Sequence, residues 1–264
     1  MLVKLLKYDL KYMIKNMLVF YILSIFFAIT TRILFEMEQT IIIDIIGQIS
    51  VGCMFSMTAS TLINTIMRSW VRFKDSLYKD ESYLTHTLPV TKKQLYDSKI
   101  IQTLILFLIG FAVILLSLFI TYYSKENWIG ITNYIKNITT GLNINIWFFI
   151  IMLVVILFLE LFNAVQCGYL GMILGYQKNN SKLGFSVLFG FIIYIIIQTI
   201  VVFLIFIYGL IDPSIMELFK STTPALDIEV FKTLAIITSM VYSLVIIAIS
   251  ILCKKLLNKG VNIE

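Results

Sequence analysis

Cysteine, histidine and proline are the scarce residues of this 264-residue chain: three cysteines, one histidine and three prolines. Each scarcity closes off a class of function. Cys53, Cys167 and Cys253 stand singly inside apolar runs, so no CxxC or Cys/His spacing offers a metal site and no disulfide framework can be read. Free cysteines in such surroundings behave as small core residues. The lone His86 has no second histidine for a metal pair and no companions for nucleophilic chemistry. The GxxxxGK[ST] phosphate loop, the HExxH zinc motif and the GxSxG elbow are all missing. An enzyme with its chemistry inside this chain is not expected, nor is a metal or cofactor bound by it.

Charge is sparse as well, at 14% of residues against about 25% in ordinary soluble domains. Apolar residues take up the difference, at 59%, with a mean hydropathy of +0.94. A helix crosses the ~30 Å hydrocarbon core with roughly 20 apolar residues. Six runs meet that demand: 17–35, 40–67, 100–123, 144–175, 185–210 and 233–253. They leave too little chain for a separate soluble domain. The expected fold is an all-α polytopic membrane protein, a single transmembrane domain over 1–264 with six membrane helices, and three spans plus three is an arrangement open to it. Lysines spread through the first fifteen residues, a long first run and no A-x-A site argue against a cleavable signal.

The cations give an orientation. With six spans both termini lie on one side, together with Lys4, Lys7, Lys11, Lys15, Arg68, Arg72, Lys74, Lys79, Lys92, Lys93, Lys99, Lys178, Lys182, Lys254, Lys255 and Lys259. The other side keeps Lys125, Lys136, Lys220 and Lys232, with Arg32 near the end of the first span. Sixteen cations against five place both termini in the cytoplasm by the positive-inside rule. The net charge of +6 is then a topology signal, and no nucleic-acid partner is expected. Asp44 and Arg32 fall near the outer boundary, where they should be paired or snorkelling.

The chain divides accordingly. Residues 1–16 read as an amphipathic interfacial helix, with Leu2, Leu6, Leu10, Met13 and Met17 on one stripe and Lys4, Lys7, Lys11 and Lys15 nearly opposite. Helices one and two occupy 17–67, a cytoplasmic elbow 68–99, helices three to six 100–253 and a cytoplasmic tail 254–264. Within the elbow, Phe73, Leu77, Leu84 and Leu88 recur at helical spacing and predict a short amphipathic helix. Leu88 precedes Pro89 and so resists the α conformation, which ends that helix. Thr91 and Gln94 then form a capping box, with Val90 and Leu95 at the staple positions, and predict a helix from Lys92 into the third span. On the outer side, Trp128 and Tyr134 are expected as interfacial anchors, and 213–220 as a short helix after Asp212.

Polar residues inside the spans are the candidate functional positions. Glu160 lies deep in the fourth span, with Ala164, Gly168, Gly171 and Gly175 following on nearly its own face. Small residues admit a close helix neighbour, so Glu160 should face protein or a cavity. An intramembrane carboxylate is a functional candidate by default, and a bonded packing carboxyl is the alternative. Gln48, Gly52, Ser56, Ser60 and Asn64 recur every fourth residue in the second span, to line a path or to join helices. Tyr194, Gln198 and Thr199 sit midway along the fifth.

Residues 77–100, LYKDESYLTHTLPVTKKQLYDSKI, resemble the first cytoplasmic loop of the ABC-2 type exporter permeases of low-GC Gram-positive bacteria. Residues 5–16, LLKYDLKYMIKN, are similar to the interfacial helix of that group, and six spans with both ends inside match it along the chain. His86 stands where an apolar residue is more usual. The resemblance implies a permease subunit in the bacterial cytoplasmic membrane, an exporter of lipophilic, amphipathic or peptide cargo by alternating access. It implies a dimer with a second copy or a paralogue, and an ATP-binding cassette ATPase that carries ATP and Mg. The coupling helix between helices two and three would dock on that ATPase through Asp80, Glu81, Tyr83, Leu84 and His86, with the turn at Pro89. By helix number alone, Gln48, Ser56, Asn64, Tyr194 and Gln198 would line the substrate path, with Glu160 beside them. Two other readings remain open: an ion-coupled secondary transporter using Glu160, and a non-transporting sensor or immunity protein.

Overall fold

A computed structural model describes residues 2–38, 40–79, 81–124, 129–130, 132–133, 146–178, 180–212, 215–216 and 228–259. Asp80, Trp128, Tyr134, Pro213 and the rest of the expected outer helix, apart from helical Ile215 and Met216, lie outside the described residues. Seven helices and no strand occur among them: α1 (Leu2–Glu36), α2 (Ile41–Tyr78), α3 (Glu81–Thr87), α4 (Lys92–Tyr122), α5 (Ile146–Gly175), α6 (Lys182–Ile211) and α7 (Ile228–Lys259). All but α3 are long and apolar enough to cross a membrane. Continuous helix is what hydrocarbon requires, because it satisfies every backbone N–H and C=O within the segment.

Two compact units share these helices. Unit 1 comprises Met1–Ser76 and Tyr83–Thr132, unit 2 Leu77–Ser82 and Asn133–Glu264. The spans therefore divide three and three, α1, α2 and α4 against α5, α6 and α7.

In unit 1 the main packing is α1 on α4. α1 buries Asp9, Met13, Met17, Tyr21, Ser24, Ala28 and Thr31, one stripe at three- and four-residue spacing. Small hydroxyls lie along it. The Ser24 and Ser117 hydroxyls are 2.9 Å apart, and Thr31 and Ser50 are 2.8 Å apart. The Thr121 hydroxyl also lies 3.4 Å from the Ala28 carbonyl oxygen. Arg32 is paired, as its position near the boundary led us to expect, bonding Glu36 and the Tyr123 carbonyl.

Three helix boundaries depart from the sequence reading. The interfacial segment expected over 1–16 is not a separate helix: its described residues, 2–16, are the first part of a 35-residue α1. The helix of the second span does not stop with its apolar run at residue 67: α2 continues to Tyr78. The expected helix carrying Phe73, Leu77, Leu84 and Leu88 is thereby split. Phe73 and Leu77 are buried on α2, while Leu84 and Leu88 are exposed on and after α3. Helical spacing continued from α2 into α3 had joined side chains with different surroundings.

Unit 2 is built on glycine. A Cβ placed on Gly171 would lie 2.7 Å from the Ser186 carbonyl oxygen, and one on Gly175 would strike the Ser186 backbone. One on Gly190 would meet the Gly168 Cα at 3.5 Å. α5 and α6 thus touch backbone to backbone, the close neighbour that the small residues after Glu160 had led us to expect. At the end of this unit Tyr78 stacks on Tyr176, ring centroids 4.3 Å apart.

Gly171→Ala should lower the melting temperature in detergent, since overpacking such a contact costs about 1–3 kcal/mol. Gly52→Ala, whose Cβ meets nothing within 4 Å, should be neutral or stabilising by about 0.5–1 kcal/mol. Equal melting temperatures for the two variants would mean that α5 and α6 are not in backbone contact.

Candidate functional site

Three features concentrate polar chemistry. The first is the elbow. Thr91 caps α4: its hydroxyl accepts from the Gln94 N–H at 3.3 Å, and the Gln94 side chain accepts from the Thr91 N–H at 3.1 Å. The capping box fixes the start of α4 at Lys92, where the sequence placed it. Leu88, Pro89 and Val90 form the turn before it, with the Val90 N–H bonding the Leu88 carbonyl at 2.7 Å. On α3, Glu81 is exposed, Tyr83 and Leu84 are 61% and 74% exposed, and His86 is half-buried. Ser82 is buried. Pro89 is exposed on the turn, and Asp80 lies outside the described residues.

The second feature was missed in the sequence. Asp9, 1% exposed, accepts from Lys99 Nζ at 2.7 Å on one carboxylate oxygen. Its other oxygen receives Arg72 Nε at 2.9 Å and Nη2 at 2.8 Å. Lys99 is 2% exposed, and the Arg72 guanidinium also lies over the Tyr12 ring, 4.6 Å from its centroid. One anion and two cations from α1, α2 and α4 thus share a buried site. The signal was present: Asp9 stands three residues after Leu6 and four before Met13, beside the apolar stripe and opposite the lysines. An acid on an apolar face needs a buried partner. Reading Lys99 and Arg72 only as topology charges concealed it.

The third is the Glu160 cluster in unit 2. Glu160 Oε1 accepts from the Tyr194 hydroxyl at 2.6 Å and from Gln198 Nε2 at 2.7 Å. The Tyr242 hydroxyl of α7 donates to Gln198 Oε1 at 2.9 Å. Glu160 of α5 is therefore brought together with Tyr194 and Gln198 of α6, with Tyr242 of α7 added. Gln48, Ser56 and Asn64 are not part of that cluster; they lie on α2 in unit 1. Gln48 and Ser56 are exposed, with Gln48 3.5 Å from Asp44, and Asn64 bonds the Ser60 carbonyl at 2.9 Å. The buried polar stripe of α2 is a different one: Ser50, Thr58, Thr61, Thr65 and Ser69.

Among the described residues no group of three or more His, Cys, Asp or Glu could hold a metal ion. A scan against protein-family models and searches of curated proteins and solved structures returned no match for the chain.

Asp9→Asn should cost about 3–5 kcal/mol in unfolding experiments, because Lys99 and Arg72 would keep their burial without a counter-charge. Lys99→Met should cost less, since Arg72 still neutralises Asp9. The reverse order would show that the carboxylate is not the centre of the site. At Glu160, the Ala variant should lose more stability than the Gln variant, by about 1–3 kcal/mol, because only Gln keeps an acceptor for Tyr194 and Gln198.

Proposed function

We propose that this chain is the membrane-spanning permease subunit of an ATP-binding cassette exporter in the bacterial cytoplasmic membrane. The elbow carries the reading. α2 extends past the hydrocarbon length to Tyr78, a seven-residue helix follows, and a capped helix starts the next span. A short helix held between two long ones, with Tyr83 and Leu84 turned outward, suits docking in a groove of a partner. The resemblance of residues 77–100 to the first loop of ABC-2 permeases names that partner as the ATPase, with Asp80, Glu81, Tyr83, Leu84 and His86 at the contact.

On this reading the elbow and both termini are cytoplasmic, and nucleotide-driven motion of the ATPase reaches α2 and α4 as a push on α3. The Asp9 site ties the same two helices to α1 close behind the elbow. Export follows from alternating access in a dimer, with a second copy or a paralogue completing the path. The exposed polar face of α2, with Gln48 and Ser56, suits a partner or a watered path better than lipid.

A reading frame encoding a Walker A ATPase is expected beside this gene. Tagged chain should retain that ATPase in pull-down, and a Glu81→Lys/Leu84→Ala variant should retain about tenfold less, as for loss of ~1.4 kcal/mol at a contact. Undiminished ATPase capture and export by that variant would remove α3 from the interface.

A further inference from the structure

The lysines at the start of α1 are used by none of the features above. Lys4, Lys7, Lys11 and Lys15 are all exposed, and none makes an ion pair among the described residues. The only acid of residues 2–16, Asp9, lies on the opposite side of the helix, bound to Arg72 and Lys99. Lysines three and four residues apart are neighbours on a helix surface and repel until an anion lies between them. The stripe does not stop where the charges do. Leu18, Ile22 and Phe26 continue it at the same three- and four-residue spacing, and all three are exposed. One face of α1 thus runs from lysine into apolar side chains without a break.

We infer that this face binds an anionic phospholipid, its phosphate gathered between Lys11 and Lys15 and an acyl chain laid along Leu18, Ile22 and Phe26. The depths agree. At 1.5 Å per residue, Lys15 stands about 3 Å and Lys11 about 9 Å beyond Met17, where the apolar run begins. The polar layer of a bilayer is roughly 5–7 Å thick on each side, and a lysine stem bends its ammonium group toward that layer. Side chains at i and i+4 are about 5–6 Å apart at Cβ, so two ammonium groups can hold one phosphodiester by charge-assisted hydrogen bonds. Tyr12, exposed beside them at the same depth, adds an amphipathic ring of the kind enriched at membrane interfaces. Lys4 lies about 20 Å from Met17, more than a Debye length of ~8 Å beyond the headgroups.

An acidic protein fits the lysines but not their apolar continuation, which lies at the depth of the hydrocarbon. A second copy of the chain, seated face to face on the stripe, sets lysines against lysines. A zwitterionic lipid offers the same phosphate, but its own ammonium group offsets the attraction, so the face selects net negative charge. The inference needs only that α1 crosses a bilayer. It stands apart from the permease reading, and neither ATPase nor cargo enters its test.

Ile22→Trp places a fluorophore on the stripe, and subtracting the emission of the unsubstituted chain isolates it. The purified chain is reconstituted in vesicles of mixed phosphatidylglycerol and phosphatidylcholine, with one or the other brominated on its acyl chain. Phosphatidylglycerol should quench with an affinity at least about fivefold above that of phosphatidylcholine, the ~1 kcal/mol of one lysine at a headgroup. Adding Lys11→Gln/Lys15→Gln should bring the ratio close to one, whereas Lys11→Arg/Lys15→Arg should keep it and Lys4→Gln should leave it unchanged. Equal affinities without the lysine substitutions, or a preference that survives the double Gln variant, overturn the site. A loss in Lys4→Gln as large as in that variant overturns the placement of the phosphate. A tryptophan that neither lipid quenches is covered by protein and equally overturns the assignment to lipid.

Discussion

Inside hydrocarbon a polar group has no bulk water to fall back on, and the interior of this protein is organised by that constraint. The serines and threonines of the long helices show how it is met. Thr31, Thr61, Thr65, Thr103 and Thr121 each donate to the carbonyl four residues earlier, so no hydroxyl proton is left over. Several of the same hydroxyls then meet a second helix, Thr31 with Ser50 and Thr103 with Ser69. Ser24 and Ser117 meet in the same way across α1 and α4, the closely packed pair of unit 1, where short side chains let the helices approach. Polar satisfaction and tight packing in unit 1 are one solution. Unit 2 reaches close packing differently, by removing the side chain altogether at Gly171 and Gly175.

The buried carboxylate of Asp9 is the costliest instance of the same constraint. Taking a charge out of water costs several kcal/mol even after relaxation, and attraction to one partner seldom repays more than that. Here two cations converge on one carboxylate, so each oxygen is occupied. The consequence is mechanical. Arg72 lies six residues before the end of α2, and Lys99 seven residues after the start of α4. Displacing either helix end relative to α1 would separate buried charges, which a packed site resists far more stiffly than an apolar contact does. On the proposed reading, a push on α3 therefore moves the ends of α1, α2 and α4 together.

How much of this was legible in the sequence depended on the range of the signal. The six spans follow from composition over some twenty residues, and the capping box at Thr91 and Gln94 from a pattern three residues long. Both kinds of pattern are local, and both were found. The small-residue face after Glu160 was also local, and it predicted the close approach of α5 and α6. What escaped was non-local. The partners of Asp9 are 63 and 90 residues away, and nothing in the spacing of a single helix names them. Even so, the acid's place beside an apolar stripe was a visible anomaly. In α2 the every-fourth-residue run from Gln48 drew attention from the buried series of Ser50, Thr58, Thr61 and Thr65, because several polar stripes coexist on one helix. Residue spacing cannot tell which of them faces a neighbour. The split of the elbow helix has a similar cause: periodicity continued across a break that only backbone geometry reveals.

The elbow also shows why a helix of seven residues can persist. Isolated helices shorter than about 12–15 residues are marginal in water, so α3 is not held by its own propensity. Two of its hydrogen bonds lie at its ends. The Ser82 N–H bonds the Lys79 carbonyl at 2.7 Å, and Ser82 itself is buried. Thr87 donates to the Leu84 carbonyl at 2.8 Å, closing the last turn before Pro89. Between these anchors the helix turns Tyr83 and Leu84 outward, where burial contributes little to its own stability. An ordered element that exposes Tyr83 and Leu84 is pre-organised for a second surface. It gives a partner a rigid point of application without asking that partner to fold it.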